Sequence, residues 1–552
     1  MIADIYITEK SFGDKTLMKD VKFSVDDGEK VGVVGRNGVG KSTLFGILSG
    51  KDTDYTGEVI FRRGITVATT AQEHHGLGDQ TVMSYILGGL PEYSKLKKII
   101  DEYPLTMGDN MRKIEEYTQA LERFDQKGFY QVEEKIEREL SNFQLDGYGN
   151  RKISSLSGGQ KRLVEIVKIM HSEAHLALID EPTNHMDYVA KQQFIDWMNS
   201  QPHQAMLIIT HDRDVLGQVD RIVEIKDGQA VSYRGNYDAY LKQNAQATTA
   251  GMNNFEQIEK RIVNLKQKVL DYQRLKEKSR NPGTIQKFKR LENEARAELA
   301  ELSEMEKPTF WIDKESASQL DYKSAERYGK FKSRNIRLSM KDASSRSQHV
   351  LVRAENVAAG IGERILFEDV NIDLREGEAI EIRGRNGAGK TTLIRMILAS
   401  GKSFDGGPVL YSGDIFLDPQ VRIGVYEQEI DERYLADPLE KAIEKLYMSR
   451  DLSISDTKIR QLLADYLFTD ADRMTPLARL SGGQKARFQI IAMLANDPQL
   501  LVLDEPTNHL DLPSIEELET ALAKYSGAIL YVSHDNYFRE KLGGKVVQIG
   551  AE

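Results

Sequence analysis

No cysteine occurs in this chain, so disulfides and thiolate metal sites are excluded. Long apolar runs are also missing, and no stretch approaches the ~18 residues that cross a bilayer. Met1–Lys10 lacks the basic start and extended apolar core of a secretory signal. These absences point to a cytoplasmic chain with no disulfide partner and no membrane, and a transporter role would need separate membrane subunits. A formal charge of −10 supplies no general excess of base for nucleic acid, so any such contact must come from a local cluster. The length of 552 residues exceeds what one core holds and suits two domains of roughly 200 residues plus extras.

What is present is an internal repeat. The strings Asp180–Asp187 (DEPTNHMD) and Asp504–Asp511 (DEPTNHLD) are nearly the same. Upstream of the first stand Gly35-Arg36-Asn37-Gly38-Val39-Gly40-Lys41-Ser42-Thr43, then Gln72, then Leu156-Ser157-Gly158-Gly159-Gln160, with His211 downstream. The second copy runs Gly384-Arg385-Asn386-Gly387-Ala388-Gly389-Lys390-Thr391-Thr392, Gln428, Leu480-Ser481-Gly482-Gly483-Gln484, Asp504-Glu505 and His534. One G-x-x-x-x-G-K-[ST] string arises by chance; two, each followed by the same features in the same order, do not.

The residue types match the chemistry of a nucleoside triphosphate. After a strand, the glycines let backbone N–H groups curl around phosphate oxygens while the next helix points its positive end at them. Lys41 and Lys390 are expected at the β/γ-phosphates, with Ser42 and Thr391 offering hydroxyls to Mg²⁺. The apolar runs Leu176–Ile179 and Leu500–Leu503 read as buried parallel strands that deliver Asp180 and Asp504 to the metal. Glu181 and Glu505 follow as candidates to polarise the attacking water. Gln72 and Gln428 are expected beside the γ-phosphate and metal, and His211 and His534 against the γ-phosphate.

With these motifs in both halves, the chain resembles the ATP-binding-cassette superfamily, and its tandem cassettes and charged linker resemble the ABC-F branch. The resemblance covers nearly the whole chain. It implies an ATPase that acts on the ribosome, monomeric, with its cassettes paired head to tail so that the signature of one half completes the site of the other. Carried over, Lys41, Gln72, Glu181 and His211 share a site with Ser481–Gln484, and Lys390, Gln428, Glu505 and His534 share one with Ser157–Gln160. One position departs from the pattern. Phe12 stands where the family sets an aromatic ring against adenine, but the matching residue in the second half is Ile361.

Between the cassettes, Phe255, Ile258, Ile262, Leu265, Val269, Tyr272 and Leu275 follow helical spacing. Asn281-Pro282-Gly283 breaks the pattern before a second stripe at Ile285, Phe288, Leu291, Ala295, Leu299, Leu302 and Met305. The expected element is an antiparallel helical hairpin reaching about 40 Å. From Lys260 to Arg290 there are eleven Lys/Arg against Asp271 and Glu277, an imbalance that predicts a basic tip free to meet RNA phosphates. Lys276, Lys278, Arg280, Lys287, Lys289 and Arg290 flank the turn and are the RNA-binding candidates. A second basic run, Lys323–Arg346, interleaved with Tyr328 and Phe331, suits either RNA contact or a soluble tether. The resemblance assigns the hairpin to peptidyl-tRNA in the P site and to large-subunit rRNA near the catalytic centre.

The interval from Gln72 to Leu156 is 32 residues longer than that from Gln428 to Leu480, and Met111–Phe124 and Val132–Phe143 carry helical stripes around Gly128. The family places a ribosome-contacting arm there. The expected organisation is a first cassette over 1–241 with an arm near 92–145, a linker over 242–348 and a second cassette over 349–552. Each cassette is expected to be an α/β domain with a mainly parallel sheet and a helical signature subdomain. Besides a translation factor, the sequence admits a ribosome-protection protein against antibiotics, the ATPase subunit of a transporter, or a DNA-associated repair ATPase.

Overall fold

The computed structural model of the protein describes residues 1–13, 15–70, 79–106, 108, 110–184, 186–304, 310–318, 320, 322–332, 335–338, 349–401, 407–427 and 430–550. They form two compact units, Met1–Tyr237 with Ile336–Glu552, and Asp238–Asn335. Both cassettes lie in the first unit.

Each cassette is built on a sheet whose central strands are apolar throughout because both faces are covered. Leu176–Asp180, Ala205–Ile209, Leu500–Asp504 and Ala528–Val532 are buried at every position. In the first cassette the strand order is Val67–Thr69, Leu176–Asp180, Ala205–Ile209, Lys30–Gly35, Arg221–Lys226, Gln229–Arg234. All neighbours are parallel except the last pair. The second cassette repeats the order with five strands, Ile423–Tyr426, Leu500–Asp504, Ala528–Val532, Ala379–Arg383 and Lys545–Gln548, all parallel. A three-stranded antiparallel sheet accompanies each core, led by Ala3–Phe12 in one half and Val350–Ile361 in the other. One apolar cluster fills the space between the two sheets of each cassette, and a second lies under the helical subdomain.

The 32-residue excess of the first half forms helices. Tyr93–Thr106 and Met111–Gln126 precede Val132–Asn142, and Gly128 takes a φ of 66° at the turn before it. The first of these helices carries Pro104 in its last turn, which masked it in the sequence pattern. Tyr93, Phe124 and Phe129 meet edge-on or tilted at the base, whereas Leu105 and Met111 are exposed at the other end.

The second unit is helical. Tyr237–Lys278 runs for 42 residues, about 63 Å at ~1.5 Å per residue. Pro282–Glu304 follows for 23 residues, about 35 Å. The break falls before Pro282 rather than through Gly283: Pro282 is the first helical residue, where its missing N–H costs nothing, and the Asn281 side chain accepts from the Gly283 N–H at 2.9 Å. Leu265, Val269 and Ala295 form the seam with Tyr272, Leu299 and Leu302, and Tyr272 stacks on Phe288 at 6.4 Å. Leu275, expected in that seam, is largely exposed, and Met305 lies outside the described residues.

One expectation for this unit is corrected. Not all six basic residues near the turn are without partners, because Lys276 donates to Glu292 at 2.6 Å and Arg290 to Glu294 at 2.9 Å. The first pair forms because the hairpin brings Glu292 of its second helix beside the first, a pairing invisible when charges are counted in blocks; the second lies within the helix Pro282–Glu304, four residues apart. Hydrogen bonds from Lys276, Arg296 and Gln273 hold the Glu292 carboxyl down at about 2. Lys278, Arg280, Lys287 and Lys289 make no ion pair among the described residues. In the second basic run, Tyr328 and Phe331 are core residues of this unit. They lie on the helix Tyr322–Phe331 and are buried with Met252 and Ile312. Much of the rest of the Lys323–Arg346 run lies outside the described residues.

Candidate nucleotide-binding sites

The two phosphate-loop motifs fold alike. The strands Lys30–Gly35 and Ala379–Arg383 end in loops whose glycines take left-handed conformations, φ 80° and 105° at Gly38 and Gly40, 80° and 98° at Gly387 and Gly389. Helices Lys41–Leu48 and Lys390–Leu398 start directly after them. Each lysine curls back over its own loop: Lys41 Nζ donates to Gly35 O at 2.6 Å, and Lys390 Nζ to Gly384 O at 2.8 Å. Burial lowers the pKa of both lysines, which makes the pocket one that favours an anion to balance them.

At the strand ends, Ser42 Oγ donates to Asp180 Oδ2 at 3.2 Å and Thr391 Oγ1 to Asp504 Oδ2 at 2.8 Å. A hydroxyl beside a carboxylate is the all-oxygen donor set that suits Mg²⁺. Gln72 and Gln428, expected at the same place, lie outside the described residues. Glu181 and Glu505 take the left-handed conformation, φ 46° and 52°, although neither is glycine. Such backbone strain concentrates at functional positions. Burial pushes the Glu181 carboxyl up to about 8 and that of Glu505 up to about 7. His211 Nε2 lies 3.6 Å from Glu181 Oε1, and His534 Nε2 3.3 Å from Glu505 Oε1. Burial drives both imidazoles down to about 3, so they are neutral at physiological pH. Both ring nitrogens of His211 and Glu505 Oε1 are buried without a hydrogen-bond partner among the described residues, as groups that await a ligand are.

The signatures lie opposite these groups. Ser157 and Ser481 cap the helices Gly158–His171 and Gly482–Leu494 in full capping boxes with Gln160 and Gln484, so the polar residues of the motif fix the direction of a helix N-terminus. One cavity of about 940 Å³ is lined by Ser157, Gly159, Lys390, Thr391, Glu505 and His534, among others, and also by Ile361 and Arg364. In the other arrangement Gly483 backs onto the first phosphate loop, where an added Cβ would sit 2.0 Å from Asn37 Nδ2. A larger residue there would have to displace the Asn37 side chain.

Two aspartates that sequence reasoning missed make the joint. Asp187 caps its own helix with Oδ1, accepting from Ala190 N at 2.9 Å, and with Oδ2 accepts from Asn386 N of the other cassette at 3.0 Å. Asp511 does the same, with Ser514 N at 3.1 Å and Asn37 N at 3.2 Å. Both close the DEPTNH strings just ahead of an apolar-periodic helix, which marks them as helix caps in the sequence. Their second oxygen, turned to the opposite cassette, is not legible there. Phe12 and Ile361 hold matching corners, each followed by a glycine at φ near 60°. Among the described residues no helix is long and apolar enough to cross a membrane.

A family model described as "ABC transporter" matches residues 18–184 and 367–508. The chain is 29% identical to ABC transporter F family member 2 of Arabidopsis thaliana, over 98% of this chain and 75% of that protein. It is 27% identical to the ribosome protection protein VmlR of Bacillus subtilis (strain 168), over 96% and 83%. It is also 27% identical to the energy-dependent translational throttle protein EttA of Mycobacterium tuberculosis (strain CDC 1551 / Oshkosh), over 96% and 88%. In fold it is similar to a solved RNase-L inhibitor, with a TM-score of 0.57 at 17% identity over 99% of this chain and 88% of that one.

Proposed function

Because the chain belongs to the ATP-binding-cassette family, we propose that it is a ribosome-associated ATPase of the ABC-F branch whose paired cassettes hold one ATP in each of two composite sites. ATP binding keeps the cassettes together with the hairpin engaged near the P-site tRNA and rRNA, and hydrolysis releases it. The observation that carries the composite reading is the single cavity shared by the Ser157–Gln160 signature and the Lys390, Thr391, Glu505 and His534 set. Relatives named for translational throttling and ribosome protection support the ribosome as the place of action.

In each site Lys41 or Lys390 leaves its loop carbonyl to neutralise the β/γ-phosphates, while the glycine loop donates N–H groups. The opposing signature helix adds its N-terminal dipole. Ser42 with Asp180, and Thr391 with Asp504, would hold Mg²⁺, which supplies charge neutralisation to the phosphates when bound. Glu181 or Glu505 orients and deprotonates the attacking water, and the neutral His211 or His534 contacts the γ-phosphate.

The test is the chain carrying Glu181→Gln and Glu505→Gln together. It should still bind ATP, since every phosphate-loop group is kept, and lose turnover by at least the ~10²–10⁴ that a positioned base contributes. Held in its ATP state, it should accumulate on ribosomes and inhibit translation in a reconstituted system. Undiminished turnover would remove both glutamates from the chemistry.

A further inference from the structure

The joint between the cassettes is uneven. Lys191 stands four residues after Asp187 on the helix Tyr188–Ser200, and the matching position after Asp511 is Ile515. The buried Lys191 ammonium donates to Asp214 Oδ2 at 2.7 Å and to the main-chain carbonyl of His534, on the other cassette, at 2.6 Å. It also lies 3.3 Å from Asp212 Oδ2. Two hydrogen bonds and the ion pair with Asp212 thus meet a charge that would be costly to bury alone. Burial opposes the charged form, yet Asp212 and Asp214 outweigh it and raise the lysine pKa.

Asp212 is the next residue after His211, Asp214 follows two further on, and the accepted carbonyl belongs to His534 itself. One side chain therefore binds the loops of both candidate γ-phosphate histidines. Asn536 reinforces the same contact by donating to Asp214 Oδ2 at 2.7 Å. The cavity that holds the second site continues past Lys191 to Glu181 and His211 of the first. Ile515 has no polar atom with which to make the reciprocal link.

We infer that Lys191 is a positioning residue shared by the two nucleotide sites, tying the His211 loop to the His534 loop so that hydrolysis at one site governs the rate at the other. Neither loop can shift without breaking a short bond to a buried charge or carrying the other loop along. A link of this kind is a single element biased from both ends, which is the physical requirement for coupling between sites. The inference rests on the ATPase reading above.

The experiment measures turnover at saturating Mg-ATP for the full chain, for Glu181→Gln and for Glu505→Gln, each with Lys191 kept or changed to Met or Arg. With Lys191 kept, the rates of the two single glutamine variants should sum to less than about half the parent rate, since independent sites would simply add. With Lys191→Met the two rates should sum to that of the Lys191→Met parent, while KM for ATP moves by less than about twofold. Lys191→Arg, which keeps charge and reach, should retain the deficit. An unchanged deficit in Lys191→Met overturns the inference, as does strict additivity in the native chain. Should Lys191→Met fail to unfold cooperatively on heating, Asp214→Asn, which weakens the same bond from the other end, must restore additivity instead. If neither glutamine variant lowers turnover at all, it is the catalytic assignment of Glu181 and Glu505 that has failed, and if the parent chain turns over no ATP it is the ATPase reading; the coupling falls with either.

Discussion

Phe12 and Ile361 end equivalent strands, pair with Lys15 and Arg364, and are equally exposed, so their difference in chemistry is not confounded by a difference in place. A ring adds about 0.5–1.5 kcal/mol of stacking beyond area, so Phe12→Ala should weaken ATP at the first site by up to about tenfold. Ile361→Ala should cost less, because Arg364 and Leu366 line the same wall of the second cavity. Site-resolved nucleotide titration separates the two; equal losses would move the base contact elsewhere. At this scale the groups of the phosphate loops, Asp180, Glu181 and their counterparts were legible in the sequence, since each motif is contiguous and its spacing is set by local backbone geometry. Lys191, Asp187 and Asp511 were not. Their partners lie hundreds of residues away, and no periodicity relates Asp187 to Asn386 or Lys191 to His534.

The hairpin shows how an element can be read correctly in outline and wrongly in charge. Apolar spacing located both helices and the turn, because one face of each must be buried in the seam. Which basic residues are left over depends partly on how the two helices align: the alignment hands Lys276 to Glu292, while Arg290 pairs with Glu294 one turn on along its own helix. The basic residues with charge to spare at the tip are therefore Lys278, Arg280, Lys287 and Lys289. Changing these four to Gln preserves helix propensity and should flatten the salt dependence of ribosome binding by the ATP-held protein, by roughly 0.7–0.9 in log–log slope per lost phosphate contact. Adding Lys276→Gln should contribute little to the slope and should instead speed amide exchange along the seam, since it leaves buried Glu292 with one donor fewer. Binding measured from low to high salt, with hydrogen exchange alongside, checks both. An unaltered slope would reduce the hairpin to a spacer. The helix Tyr93–Thr106 in the arm was missed for a different reason: Pro104 sits inside it, and a proline in the pattern argues for an end.

Across the whole molecule, the duplication that made the sequence easy to interpret is least exact where the copies touch. Arg213 donates to Glu519 and, at 3.1 Å, to Asp535, and its guanidinium lies 4.8 Å from the Tyr537 ring centre. The equivalents of these residues by repeat are Asn536 for Arg213, Tyr537 for Asp214 and Ile195 for Glu519. Because Arg213 and Glu519 are both buried, Glu519→Gln should destabilise the chain by about 3 kcal/mol, toward the lower end for a broken buried pair since Asp535 remains. Thermal unfolding with and without Arg213→Met measures this, and the double change should cost less than the two single changes added together. The same unevenness decides which cassettes can recognise each other. Two first cassettes brought face to face would set Arg213 and Asp214 against a surface with neither Glu519 nor Asn536, and two second cassettes would bury Glu519 with no Arg213 to meet it. Each half is thus a poor partner for its own kind and a good one for the other. In a crowded cell where many copies of the chain are made at once, that handshake disfavours first-with-first and second-with-second cross-links between neighbouring molecules.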